Sequence, residues 1–157
     1  MFVVKSVIMR AAAVALWVSY AGFGASGQAT SEGLTVKAVA EVETRQTQEG
    51  REIVRLAPAT RVAPGDEVIY TLEIRNRGTA TVRTPTVVYP VPMHMRMVAD
   101  SATGPGTEVS FSVDGGHRFE AADEHVAPDA YTHVRWHFKN NLKANSVAFV
   151  RFRAIVK

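Results

Sequence analysis

The sequence predicts an all-β protein, an immunoglobulin-like β-sandwich of about seven to nine strands preceded by a signal peptide. Three observations support this prediction. Short segments in which apolar and polar residues alternate recur after residue 30, turn residues separate these segments, and no long segment has the period of a helix. We therefore assign residues 1–29 to the signal peptide and residues 30–157 to a single sandwich domain.

The first 29 residues follow the order of a secretory signal. Lys5 and Arg10 form a positive start, residues 11–20 are apolar, and small residues follow. The apolar run is shorter than the roughly 20 residues of a spanning helix. This favours cleavage near residues 27–29 over a retained anchor, and the lack of cysteine excludes a lipid anchor there. We expect an exported protein, periplasmic or extracellular, with no stable membrane span after processing.

Most of the excess positive charge belongs to this signal. The chain has 18 Lys and Arg against 15 Asp and Glu. Two of the 18, Lys5 and Arg10, lie in the signal, which has no acid, so 16 remain against 15. A surface built for nucleic acid is therefore not predicted. The absence of cysteine also excludes thiol catalysis and zinc–thiolate sites.

The first predicted strands lie between residues 34 and 75. Residues 34–43 alternate, residues 48–50 form a turn, and residues 53–56 form a short strand. Pro64 and Gly65 predict the next turn, because proline presets φ and glycine accepts a positive φ. The clearest strand follows. Its alternate apolar residues, which the period of two places toward the core, are Val68, Tyr70, Leu72 and Ile74.

The second half of the chain continues the pattern. Strands are predicted at residues 86–89, 95–99, 108–113, 132–139 and 148–156. Pro90 and Pro92 end the first of them, and Asp114–Gly115 predicts a hairpin turn. The residues expected at the centre of the core are Trp136, Tyr70, Leu72, Phe138 and Phe152.

Several of these segments together resemble the bacterial conserved-repeat domain family. Residues 62–76, VAPGDEVIYTLEIRN, resemble its "pGD.v.Y.i.v.N.G" segment, and residues 89–99 resemble its "d.lP.gl.fv" segment. Residues 112–116 and 131–136 are similar to its later strands. The resemblance covers roughly residues 55–157, with a single copy and no Pro-Gly before the last strand. It implies an immunoglobulin-like fold in an exported or cell-surface protein, and it brings no catalytic residues.

Two groups of side chains suggest metal sites. The run Met93-His94-Met95-Arg96-Met97 contains thioether and imidazole groups, which suit Cu(I). On a strand, however, the three methionines share one face, as core residues do. His133 and His137 would sit roughly 13 Å apart on a strand, too far for one ion. The acidic residues of 120–130 lack the pattern of a calcium loop. We predict no cofactor and no metal.

The outward-facing residues of the last two strands form the candidate binding surface. If these strands pair as a hairpin, their cations lie side by side in one stripe, whose charge rises as the histidines protonate near their ordinary pKa of about 6.5. This stripe would dock a protein or an anionic envelope component. The alternative is a solvated edge neutralised by carboxylates such as Glu73. The residues of the stripe are His133, Arg135, His137, Lys139, Arg151 and Arg153.

No catalytic motif occurs. The chain has no Gly-x-Ser-x-Gly elbow, phosphate loop or nucleotide fingerprint. The leading functional hypothesis is an exported, non-enzymatic module with a structural role or a role in binding protein or envelope. One alternative is a periplasmic copper-binding protein that uses the Met/His run. The other is a small hydrolase with a carboxylate pair that the fold assembles.

Overall fold

The computed structural model describes residues 28–29 and 33–157, so almost all of the predicted signal peptide lies outside the described residues. The described chain is built from antiparallel strands and one short 3₁₀ turn, Pro128–Ala130. The predicted all-β sandwich is confirmed. The strands are β1 (Gln28–Ala29), β2 (Leu34–Gln48), β3 (Arg51–Pro58), β4 (Glu67–Asn76), β5 (Thr86–Pro90), β6 (Met95–Met97), β7 (Thr107–Ser112), β8 (His133–Phe138) and β9 (Val147–Val156).

The nine strands form two antiparallel sheets. One sheet has the order β3-β2-β4-β9-β6, and the other has the order β1-β5-β8-β7. Strand β4 is the centre of the first sheet, because it pairs with β2 on one side and with β9 on the other. After β4 the chain forms β5 in the second sheet and β6 in the first, then β7 and β8 in the second, and β9 returns to the first sheet between β4 and β6.

The core lies between the two sheets, where the alternation of the sequence places it. Phe152 of β9 stacks on Tyr70 of β4 with ring centroids 4.9 Å apart. The same ring contacts the opposite sheet, at 6.1 Å from the ring of Trp136. All five residues predicted at the core centre are buried. Aromatic packing across the interface therefore joins the two sheets into one interior.

A buried apolar residue, Ile69, lies on the outer face of the first sheet. Ile69 is only 1% exposed, although alternation places it opposite the core set of β4. It lies between Glu41 of β2 and Arg153 of β9 in the strand register. The Arg153 side chain bonds to Glu67 and Glu43, so it spans the sheet surface beside Ile69. Its aliphatic stem is suited to cover this apolar side chain.

The β2–β3 hairpin extends beyond the rest of its sheet. Strand β2 pairs with β4 only from Leu34 to Glu41, and with β3 from Glu41 to Gln48. Residues 42–48 and 51–57 are therefore a two-stranded ribbon. The predicted turn at residues 48–50 is confirmed, and Glu49 and Gly50 have φ of 52° and 76°. Positive φ at both positions is the geometry of a two-residue type I′ turn, which preserves the strand twist.

Candidate functional site

The six residues of the predicted cationic stripe do not form one surface. Strand β8 pairs with β5 and β7, whereas β9 pairs with β4 and β6 in the other sheet. The pairing of the last two strands as a hairpin is therefore wrong. The chain crosses between the sheets after β8, so the outward side chains of β8 and β9 lie on opposite faces of the sandwich. His133, Arg135 and His137 lie on one face, and Arg151 and Arg153 lie on the other. Lys139 follows the end of β8 and is exposed.

The two arginines of β9 are bonded to neighbouring strands. Arg153 forms ion pairs with Glu67 at 2.6 Å and Glu43 at 3.1 Å. The hydrogen bond to Glu67 and the charges of both carboxylates raise the pKa of the Arg153 guanidinium. Arg151 donates from Nε to Oγ1 of Thr71 at 3.1 Å. Arg153 is thus neutralised by carboxylates, as the alternative interpretation expects, whereas the hydrogen-bond partner of Arg151 is an uncharged hydroxyl.

Arg135 and His137 line a shallow concavity of about 240 Å³ on the outer face of the four-stranded sheet. Arg135 donates from Nε to Oγ of Ser110 at 2.9 Å, and its guanidinium carbon lies 4.5 Å from the centre of the Phe119 ring. These two contacts fix the plane of the guanidinium and leave its terminal nitrogens free of any described carboxylate within 4 Å. The arrangement is suited to a bidentate contact with a carboxylate or phosphate.

His137 lies beside this arginine group. Its Nδ1 is 2.9 Å from Oγ1 of Thr86, and Glu108 is its partner on β7 and lines the same concavity. Arg135 is two residues earlier on β8 and lies opposite Ser110, so Glu108 is in register with the histidine and not with the guanidinium.

His133 differs from the other two residues of β8. Burial lowers the pKa of His133 below its ordinary value of 6.5, and the nearby Asp114 carboxylate opposes this effect. Asp114 accepts hydrogen bonds from the backbone N–H groups of His117 and Arg118, which lower the pKa of its carboxyl. His133 thus faces a well-bonded turn. It favours the neutral state and adds little positive charge to this face.

The structure separates the side chains of the suggested metal sites. Met97 is 2% exposed and lies in the core, whereas Met93 is 86% exposed and precedes β6. The interpretation of all three methionines as core residues is therefore right for Met97 and wrong for Met93. His133 and His137 lie on a strand, which keeps them apart. Within residues 28–29 and 33–157, no three His, Asp or Glu side chains are grouped to hold a metal ion.

Two exposed apolar side chains lie close together on the β2–β3 ribbon. Val54 is 53% exposed and Leu56 is 43% exposed, and both are on the outer face of the sheet. Strand β3 is the last strand of its sheet, so its outer edge has no neighbour among the described residues. The sequence hypothesis missed this site. The signal that could have found it is the polar run of residues 44–52 around the turn, which offers no apolar side chain to pack against a further element.

Comparisons with protein-family models, curated proteins and solved structures found no match for this chain. The resemblance to the conserved-repeat domains therefore stays a prediction. Of the residues that the structure describes, none belongs to a helix with the length and apolar composition to cross a membrane.

Proposed function

We propose that this chain is an exported, non-enzymatic module that binds another protein through the β2–β3 ribbon. The observation that carries the proposal is the projection of this ribbon beyond β4, with Val54 and Leu56 exposed beside an open strand edge. Exposed apolar side chains that lie next to each other are typical of contact surfaces.

The energetics of the ribbon support this proposal. A two-stranded hairpin without a third strand or a packed face is marginally stable in water. The ribbon has few buried side chains, since residues 45–52 are all exposed. A partner that covers Val54 and Leu56 removes apolar surface from water, at roughly 25 cal/mol for each Å². Binding therefore stabilises the part of the protein that the fold itself supports least.

The exported location in this proposal comes from the sequence. Positive, apolar and small residues follow one another in the order of a signal peptide, and the chain has no cysteine for a lipid anchor. The resemblance to conserved-repeat domains of exported and cell-surface proteins agrees with this location.

Capture from an envelope fraction tests the proposal. Tagged protein, purified after expression of the full chain, is cross-linked to the fraction, and the captured proteins are identified. In the double variant Val54→Asp and Leu56→Asp, we expect capture of the specific partner to fall at least about tenfold, because charge is costly to bury at a contact. Phe149→Asp is the matched control, because Phe149 is also 53% exposed and lies on the same face in β9. If the double variant captures the same proteins as the unaltered chain, the ribbon is not the binding surface.

The Arg135 concavity is a second candidate contact, for an anionic group of the envelope. It is supported by the free terminal nitrogens of a guanidinium that Ser110 and Phe119 hold in place. We expect Arg135→Glu to reduce association with anionic envelope components, and Arg151→Glu, on the opposite face, to leave it unchanged. Equal association of both variants with the envelope would contradict this assignment.

A further inference from the structure

The backbone of β3 has an open row of hydrogen-bonding groups. The turn at Glu49–Gly50 is a two-residue turn, so Gln48 and Arg51 form the first hydrogen-bonded pair of the hairpin. Antiparallel pairing alternates, so Arg51, Ile53 and Arg55 direct their N–H and C=O groups toward β2. The N–H and C=O groups of the residues between them point to the open edge. These edge residues are Glu52, Val54 and Leu56.

The two faces of this edge differ in chemistry. On the outer face, Val54 and Leu56 are apolar, and Glu52 pairs with Arg45 at 3.5 Å. The inner face has Arg51 and Arg55 on either side of Ile53. Neither arginine side chain has a carboxylate within 4 Å or a hydrogen bond in the described part of the chain. The edge therefore has one apolar face and one face with two unneutralised positive charges.

We propose that β3 binds its partner by strand addition, and that the partner is an extended segment with acidic residues on one face and apolar residues on the other. This inference rests on the proposed function and names the partner class for the same ribbon. The acidic residues lie opposite Arg51 and Arg55, and an apolar residue lies opposite Ile53. Backbone hydrogen bonds supply affinity in this mode, and alternate side chains supply specificity.

The position of the edge leaves room for an added strand. On the β2 side, the ribbon is followed by a concavity, and the residues that line it include Arg61, Asp66 and Glu67. On the β3 side, no described strand follows. Pro58 ends the edge because it has no N–H group to donate. The added strand is therefore about seven residues long and lies opposite residues 51–57.

Charge argues against a second copy of this chain as the occupant. Antiparallel pairing of two β3 strands about Val54 places Val54 opposite Val54 and Ile53 opposite Arg55. Arg51 and Arg55 of both copies then share one face, and like charges at neighbouring cross-strand positions are unfavourable. The adjacent registers, centred on Ile53 or on Arg55, place arginine directly opposite arginine. A strand with acidic residues at these positions converts the repulsion into ion pairs.

A designed peptide tests the inference. The heptapeptide TVEIVTE, aligned antiparallel, places its glutamates opposite Arg55 and Arg51 and its isoleucine opposite Val54. Protein purified after expression of the full chain is titrated into fluorescently labelled peptide, and binding is followed by anisotropy. The control peptide TVKIVTK changes only the two glutamates to lysine. We expect the control to bind about tenfold more weakly, because two exposed ion pairs become like-charge contacts.

Two protein variants complete the test. Arg51→Glu with Arg55→Glu is expected to invert the preference, so that TVKIVTK binds better than TVEIVTE. Val54→Pro removes an N–H group that points to the open edge, and a proline at this position leaves the bonds to β2 intact. We expect it to weaken the binding of TVEIVTE at least about tenfold.

The outcomes separate strand addition from the proposed function. An unchanged peptide preference after reversal of the two arginines overturns the inference. A second result also overturns it. Val54→Pro, shown by circular dichroism to be folded, would capture as much of the envelope partner as the unaltered chain does, while the double aspartate variant captures none. The partner would then contact the apolar face of the ribbon without joining the edge, and the proposed function would stand.

Discussion

Replacement of Asn76 by alanine should destabilise the domain more than any exposed polar substitution. Asn76 is the last residue of β4 and is 0% exposed. Its Nδ2 donates to the backbone oxygens of Ala80, Leu142 and Lys143, at 2.9, 3.0 and 3.1 Å. Its Oδ1 accepts from the N–H of Gly78 at 3.0 Å. One side chain thus joins the loop after β4 to the loop before β9.

The magnitude follows from which groups lose their partner. Leu142 O keeps a hydrogen bond from Val82 N at 2.9 Å, and Lys143 O keeps the hydroxyl of Ser146 at 2.6 Å. Gly78 N–H and Ala80 C=O, in contrast, have no hydrogen-bond partner other than Asn76 among the described residues. An unsatisfied buried group costs about 1–3 kcal/mol, and partial access to water reduces this cost at Ala80. With the void left by the amide, we expect Asn76→Ala to lower the free energy of unfolding by about 3 kcal/mol.

Urea denaturation measures this change. Asn140→Ala is the control, because Asn140 is exposed, and we expect it to change stability by less than about 0.5 kcal/mol. Asn76→Asp should be more destabilising than Asn76→Ala at neutral pH, because it turns a carboxylate toward three carbonyl oxygens. A loss below about 1 kcal/mol in Asn76→Ala, or an aspartate variant as stable as the native chain, would refute the reasoning.

Three further predictions concern the core, the pH dependence and the N-terminus. Trp136 is fully buried, and its Nε1 has no hydrogen-bond partner in the described structure. Trp136→Phe should therefore lower the free energy of unfolding by only about 1–2 kcal/mol, against about 3–5 kcal/mol for Trp136→Ala, as measured by thermal or urea denaturation. A similar cost for both would contradict this. Because burial lowers the pKa of His133, the unfolded chain binds more protons below about pH 6.5, and stability falls as the pH drops through the folded pKa. His133→Gln should flatten the stability profile between about pH 7 and 5, and an unchanged profile would exclude His133 as its cause. Mass spectrometry of the exported protein should place the N-terminus near residues 27–29, and an uncleaved chain in the membrane fraction would overturn the signal prediction. Cleavage after Gly27 keeps β1, whereas cleavage after Ala29 removes both of its residues.

The contact surface shows the limit of prediction from sequence. A hairpin is predicted by the two strand segments at residues 34–43 and 53–56 and by the turn at residues 48–50 between them. The hairpin is present. Its projection depends on where β4 begins relative to β2, a pairing between residues about 30 positions apart. The alternation also predicts that Arg135 and Arg153 both face outward. It contains no information on whether their strands are neighbours, and the two strands lie in different sheets.

The sequence by itself determined which side of each strand is apolar, and therefore which residues form the core. It also determined the turns and the all-β class. These properties are local, because the period of two and the φ preferences of proline and glycine act within a few residues. The tertiary structure alone decided the strand order, the open edge of β3, the burial of Ile69 and the role of Asn76. Each of these depends on backbone groups that meet across long separations in the chain, and alternation along one strand does not specify its neighbour.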